Sequence, residues 1–191
     1  LDVEEGLETI LLAEPQAVIM IGTYEPCAKF IHLAKGAGSD MLFYNVSFVG
    51  GEQLAKLLGP EGDGVIVSQV FPPPNLPEVQ GMLDDIQKYI TLSKRYFPEG
   101  EISSVGLEGY YNAMVLVEGL RRAGPDLTRD GLIEALESMH TIPLGPDNVL
   151  TFSSTDHQGM DTVYFTRIEN GKLSLITDWM NISLDGEADS I

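Results

Sequence analysis

Three short apolar runs separated by two helical stretches constrain this chain more than any other feature. Ala17-Val18-Ile19-Met20-Ile21-Gly22 is a continuous apolar run, too short for a buried helix and suited to a strand covered on both faces. Cys27 to Lys35 then shows helical spacing, with Cys27, Ile31 and Ala34 on one side and Gly36 and Gly38 as the stop. Met41-Leu42-Phe43-Tyr44-Asn45 predicts a second strand, Glu52 to Leu58 a short helix closed by Gly59-Pro60, and Gly64 to Val70 a third strand. Strand, helix, strand, helix, strand with tight connections is the pattern of a right-handed parallel α/β unit. An amphipathic helix over Leu1 to Glu14, with Val3, Leu7, Ile10 and Leu11 as its stripe, precedes it and ends at Pro15.

The pattern changes at Phe71-Pro72-Pro73-Pro74-Asn75-Leu76-Pro77, which predicts a stiff extended connector. Three helices are expected after it. The first covers Glu78 to Phe97, with Leu83, Ile86 and Ile90 inward. The second runs from Ser104 to Ala123, with Leu107, Tyr110, Met114, Val117 and Leu120 facing one way. Arg121 and Arg122 suit its negative pole, and Gly124-Pro125 ends it. The third starts at a Thr128 cap and carries Leu132, Ile133, Leu136 and Met139. Val149 to Phe152 predicts a strand, and Asn170-Gly171 between two β-patterned runs, Thr162 to Ile168 and Lys172 to Ile176, predicts a hairpin.

The fold class is therefore α/β, with parallel sheet layers, a helical insert and a C-terminal β-hairpin. The expected organisation is residues 1–71 as an α/β part, 72–77 as a proline-rich crossing and 78–141 as three helices. Residues 142–180 make a return crossing and hairpin, and 181–191 an acidic tail. The three helices have no sheet of their own, so their stripes must pack on something else. Self-association follows as an expectation, as a homodimer, a swapped arrangement or a complex with a companion fragment.

Composition removes several functions. The 191 residues carry 29 acidic against 11 basic side chains, a formal net charge of −18. Phosphate backbones and anionic lipids are repelled by such a surface, so nucleic acid is not an expected partner. One cysteine excludes an internal disulfide and a CxxC-type zinc site. Cys27 falls on an apolar stripe and reads as a core residue. His32, His140 and His157 are scattered without metal-ligand spacing, Gly36-Ala37-Gly38 follows a helix rather than a strand, and no serine sits in a nucleophile elbow. No enzyme, metal or cofactor is expected. Asp156-His157 reads as a turn, and Asn45-Val46-Ser47 and Asn181-Ile182-Ser183 match the glycosylation pattern. The opening Leu1-Asp2-Val3-Glu4-Glu5 has neither an initiator methionine nor the basic start of a signal peptide, so a processed or truncated chain is expected.

Several segments, in order, carry a resemblance to one family. They are Ala13-Glu14-Pro15-Gln16-Ala17-Val18-Ile19 into Gly22-Thr23-Tyr24, Ala28 to Ile31, and Gly62 to Val67 before the proline-rich crossing. Gly109-Tyr110-Tyr111-Asn112-Ala113, Leu120 to Gly124, and Phe152 through Asp156-His157-Gln158-Gly159 to the hairpin complete the set. This order resembles the later half of the type I periplasmic solute-binding proteins of ABC importers, in the Leu/Ile/Val-binding, branched-chain amino acid group. The resemblance implies two lobes that close on a small ligand, with the first half absent here. It also implies a membrane permease as partner of the intact protein and a periplasmic or other extracytoplasmic location. A ligand-sensing module of a receptor with the same fold is the alternative.

Ligands of open α/β layers sit beyond the carboxyl ends of parallel strands. Two such ends are readable, Gly22-Thr23-Tyr24 after the first strand and Asn45-Val46-Ser47-Phe48 after the second, and Thr23, Tyr24, Ser47 and Phe48 are the candidate ligand-binding set. The resemblance gives the Tyr24 position an aromatic ligand contact; surface packing is the plain alternative. Ser47 falls at or near a position where Leu/Ile/Val-binding members carry a glutamate for the ligand's α-ammonium. A serine cannot replace an ionised partner, so an aromatic or less cationic ligand against Phe48 is one expectation. A helix-capping role for Ser47 is the other.

Overall fold

Local pattern alone places most of the elements seen in the computed structural model, which describes residues 2–145 and 148–179. In chain order they are helix α1 (Glu4–Leu12), strand β1 (Ala17–Met20), helix α2 (Tyr24–Gly36), strand β2 (Leu42–Asn45), helix α3 (Gly51–Leu58) and strand β3 (Ile66–Gln69). Helices α4 (Ile86–Tyr96), α5 (Ser104–Ala123) and α6 (Arg129–Glu137) follow. The last strands are β4 (Ile142–Gly145), β5 (Asn148–Leu150), β6 (Tyr164–Glu169) and β7 (Lys172–Leu175). The chain forms two units, one ending at Pro73 and resuming at Val163, the other spanning Pro74–Thr162.

In the first unit the parallel pattern is realised in full. A five-stranded sheet runs in the order β1-β2-β3-β6-β7, with β1, β2 and β3 parallel and the β6–β7 hairpin added antiparallel to β3. Asn170 and Gly171 both have positive φ (51° and 72°), which is what a two-residue hairpin turn of the right twist requires. One face of the sheet is covered by α2 and α3: Phe43, Val65 and Val67 point into a core with Ile31, Ala34, Leu54, Leu58 and Ile168. Leu7 of α1 joins the same core, with Val3, Ile10 and Leu11 packed around it.

Two expectations for this unit need correction. β1 is not buried on both faces. It is the edge of the sheet, Val18 and Met20 face the core, and Ile19 on the other side is 74% exposed. An apolar run reports tolerance of burial, whereas strand order decides which runs receive it. Helix α2 also begins at Tyr24, ahead of the predicted Cys27. Pro26 lies in its first turn, where the missing N–H costs no intrahelical bond.

In the second unit the cap signals hold. Thr128 Oγ1 accepts from Gly131 N at 3.0 Å at the start of α6, and Ser103 Oγ, which the sequence reading did not single out, accepts from Gly106 N at 3.1 Å at the start of α5. Gly124 ends α5 with φ 78°. The helix expected over Glu78–Phe97 is shorter, because Gly81 adopts φ 92° and Asp84 N donates to Leu144 O at 2.8 Å instead of to a helical carbonyl. Leu83 and Ile86 are buried nonetheless. Ile142–Gly145 pairs antiparallel with Asn148–Leu150, a pairing the sequence around Pro143 does not announce. The α5 stripe is only partly used: Leu107 is buried, Val117 and Leu120 are exposed, and the buried tyrosine is Tyr111, outside the predicted stripe, while Tyr110 is half-buried. The acidic tail expected from Asn181 lies outside the described residues.

Candidate functional site

The carboxyl ends of β1 and β2 are neighbours by register. Ala17 to Met20 pairs residue by residue with Leu42 to Asn45, and Val46 N still donates to Met20 O at 3.4 Å beyond the last pair. Both chains therefore leave the sheet at the same place, and Thr23-Tyr24 and Ser47-Phe48 follow within a few residues. Thr23 is the N-cap of α2 in extended conformation, and Tyr24 is the first residue of that helix. Ser47 opens a 3-10 turn, Ser47–Val49, and its carbonyl accepts from Gly50 N at 3.4 Å.

Gly50 joins the two segments. Its φ of 76° lies in the left-handed region, and a Cβ built there would stand 3.5 Å from Tyr24 Cδ1. The tyrosine ring thus lies against the turn that carries Ser47 and Phe48. Tyr24 is 38% and Phe48 57% exposed, so two aromatic faces and two hydroxyl-bearing side chains share one end of the sheet. Glu25 and Glu52 stand in the first turns of α2 and α3, the carboxylates adjoining these segments. The capping expectation for Ser47 is not met, since the N-cap of α3 is Gly50.

Other candidates fall into structural places. Cys27 is buried, its thiol pushed up by desolvation, and a Cβ on Gly22 would meet its Sγ at 3.0 Å. A neutral, enclosed thiol packs and does not react. Asp156 Oδ1 accepts from Gln158 N at 2.9 Å, which makes Asp156-His157 a turn held by side chain to backbone bonding. His157 Nε2 lies 3.0 Å from Glu137 Oε1 and His32 Nδ1 2.5 Å from Glu61 Oε2, so the two histidines make separate contacts with carboxylates. Among the described residues no helix is long and apolar enough to cross a membrane.

Two residues at these strand ends escaped the site reading. Asn45 and Gln69 close β2 and β3 and are 3% and 2% exposed. The signal was in the alternation: counting by twos, Phe43 leads to Asn45, and Val65 and Val67 lead to Gln69, so both amides fall on the inward phase.

The family model described as periplasmic binding protein matches residues 1–172, and the chain belongs to that family. Among solved structures, a possible leucine/isoleucine/valine-binding protein from Rhodopirellula baltica SH 1 is 32% identical, with a TM-score of 0.85 over 94% of this chain and 48% of that one. An extracellular ligand-binding receptor from Verminephrobacter eiseniae is 26% identical, with a TM-score of 0.72 over 89% of this chain and 47% of that one. A branched-chain amino acid ABC transporter protein from Thermus thermophilus with bound valine shares the fold at 21% identity, with a TM-score of 0.77 over 96% and 50% of the two chains. The chain thus spans about half the length of these structures. A search of curated proteins finds no match.

Proposed function

We propose that this chain contributes the later half of an extracytoplasmic solute-binding component of an ABC importer. In that role the intact protein holds an amino acid or similar small solute between two lobes, closes on it and presents the closed form to a membrane permease. The observation that carries this reading is the meeting of Tyr24 with the Ser47–Gly50 turn at the paired ends of β1 and β2. Aromatic faces there cover an apolar part of the solute, while Tyr24 OH and the Thr23 and Ser47 hydroxyls offer neutral hydrogen bonds. Ser47 supplies no charge for an ammonium group, so this half favours a solute whose contact here is apolar or aromatic. Membership of the family and the likeness to solute-binding structures support a role without catalysis.

The test is calorimetric titration of the protein that includes both lobes against a panel of aliphatic, aromatic and polar amino acids. Binding that weakens by about tenfold in Tyr24→Ala and Phe48→Ala variants is expected, in line with the loss of buried aromatic contacts. Affinity left unchanged by both substitutions sinks the site assignment. A sensing role has one observation in its favour, the likeness to a structure described as an extracellular ligand-binding receptor. Pull-down of a permease by the ligand-closed protein, against pull-down of a signalling partner, separates the two.

A further inference from the structure

The amides of Asn45 and Gln69 are the most demanding groups at the sheet's carboxyl end. Neither Nδ2 nor Oδ1 of Asn45, nor Nε2 of Gln69, has a hydrogen-bond partner among the described residues, although both side chains are more than nine-tenths buried. A buried amide left bare is costly, and buried amides in folded proteins are satisfied by protein or by ordered water. The register pairs Asn45 with Val67, so Gln69 lies two residues further along the adjacent strand, on the same face. On the far side, a Cβ on Gly51 would stand only 2.6 Å from Gln69 Nε2, so the amide is pressed against the first residue of α3. Asn45 therefore leads into the turn at Val46, and Gln69 touches the place where that turn ends.

We propose that Asn45 and Gln69 act as a positioning pair that shares one buried water, and that this tie fixes the Val46–Gly50 turn carrying Ser47 and Phe48. Water suits the three bare atoms because it accepts from two amide N–H groups and donates to a carbonyl oxygen. Gly51, lacking a side chain, leaves room for the Gln69 amide. Gln69 also pairs with Tyr164 in the sheet, so the tie reaches from the turn to the roots of both segments that leave this unit. The link to solute binding rests on the function proposed above; the tie itself does not.

A high-resolution crystal structure of the protein is expected to show one ordered water within hydrogen-bond distance of both amides. A direct bond between them, or either amide turned to bulk solvent, overturns the proposal. Gly51→Ala gives a second readout, because the added methyl displaces Gln69 while alanine favours helix over glycine. Amide hydrogen exchange at Val46, Val49 and Gly50 should accelerate about fivefold or more, the equivalent of one lost hydrogen bond, with α1 unchanged. Slower or unaltered exchange at the turn counts against the tie. Gln69→Met, which keeps the length and removes the amide, should produce the same local acceleration if Gly51→Ala does not fold. Titrations that fail for every amino acid, beside accelerated exchange in these variants, reject the solute site and leave the positioning pair standing.

Discussion

The two units use amphipathic helices in the same way in sequence and in different ways in structure. In the first, α2 and α3 lay their stripes on a sheet, and Ile31, Ala34 and Leu54 are entirely enclosed. In the second, α5 carries a comparable stripe over twenty residues, yet its buried members are Ser104, Leu107, Tyr111 and Gly119. Leu116, Val117 and Leu120 are exposed. Two apolar hollows flank α5, about 440 Å³ lined by residues such as Tyr89, Leu92, Tyr96 and Phe97, and about 470 Å³ lined by residues such as Met114, Val117 and Leu144. A stripe signals that a helix has an inner side; only a second surface of matching shape removes it from water.

The contrast can be broken most directly by truncating one residue from each stripe. Ile31→Ala should cost about 2–5 kcal/mol, the usual range for emptying a closed core site. Val117→Ala should cost about 0.5 kcal/mol or less, as at other exposed positions. Denaturant unfolding measures both, and equal losses would show that the α5 stripe is packed after all.

Tyr111 gives the next largest effect, because it is one of the enclosed side chains of α5. Desolvation is the main cause that pushes its phenol up from 10 to about 12, with the nearby Asp85 charge acting in the same direction. A raised folded value stabilises the protein below the unfolded value near 10 and withdraws that support as pH climbs through about 12. The effect is on the order of 2 kcal/mol. Phenolate absorbance followed against pH should show Tyr111 ionising last, together with loss of structure, and Tyr111→Phe should delete that step. Ionisation of all seven tyrosines near their ordinary value would show that α5 is open along its whole length.

Smaller changes sharpen the comparison at helix ends. Ser103→Ala and Thr128→Ala each remove a side chain that accepts from a first-turn N–H, and each should cost about 1 kcal/mol in the second unit. The smallest effect belongs to the hairpin of the first unit. Ser174 Oγ donates to Glu169 Oε2 at 2.7 Å, and Arg167 Nε donates to Oε1 at 3.0 Å. The serine bond first, and the guanidinium after it, hold this carboxyl below its usual range. A depressed value means the support is present above the unfolded value near pH 4 and is lost as pH falls through the folded one. Half-exposed groups of this kind contribute about 1 kcal/mol or less. Glu169→Gln should therefore flatten the acid limb of stability slightly, which a thermal melt series from neutral to acid pH would detect.

How much was legible depended on whether the deciding interaction was local. The end of α5 followed from Gly124 and Pro125 and the start of α6 from Thr128, because capping is satisfied within a few residues. The β6–β7 turn followed from Asn170-Gly171 for the same reason. The start of α4 did not, since the bond from Asp84 N to Leu144 O joins residues far apart in the chain. At the candidate site, Thr23, Tyr24, Ser47 and Phe48 were found by their place after apolar runs. Asn45 and Gln69 were passed over as strand residues, although their inward phase was visible. Their lack of partners became apparent only once β2 and β3 stood side by side.

The sequence by itself determined the parallel α/β unit, the helical insert, the hairpin and the acidic surface, because periodicity, caps and turn residues act over short range. Tertiary structure decided that β1 is an edge strand and that Tyr24 rests on Gly50. It also decided that two buried amides stand on one face of the sheet beside the turn of Ser47 and Phe48. Strand order and register are choices between distant segments, and no local pattern encodes which apolar run lies inside and which at the margin.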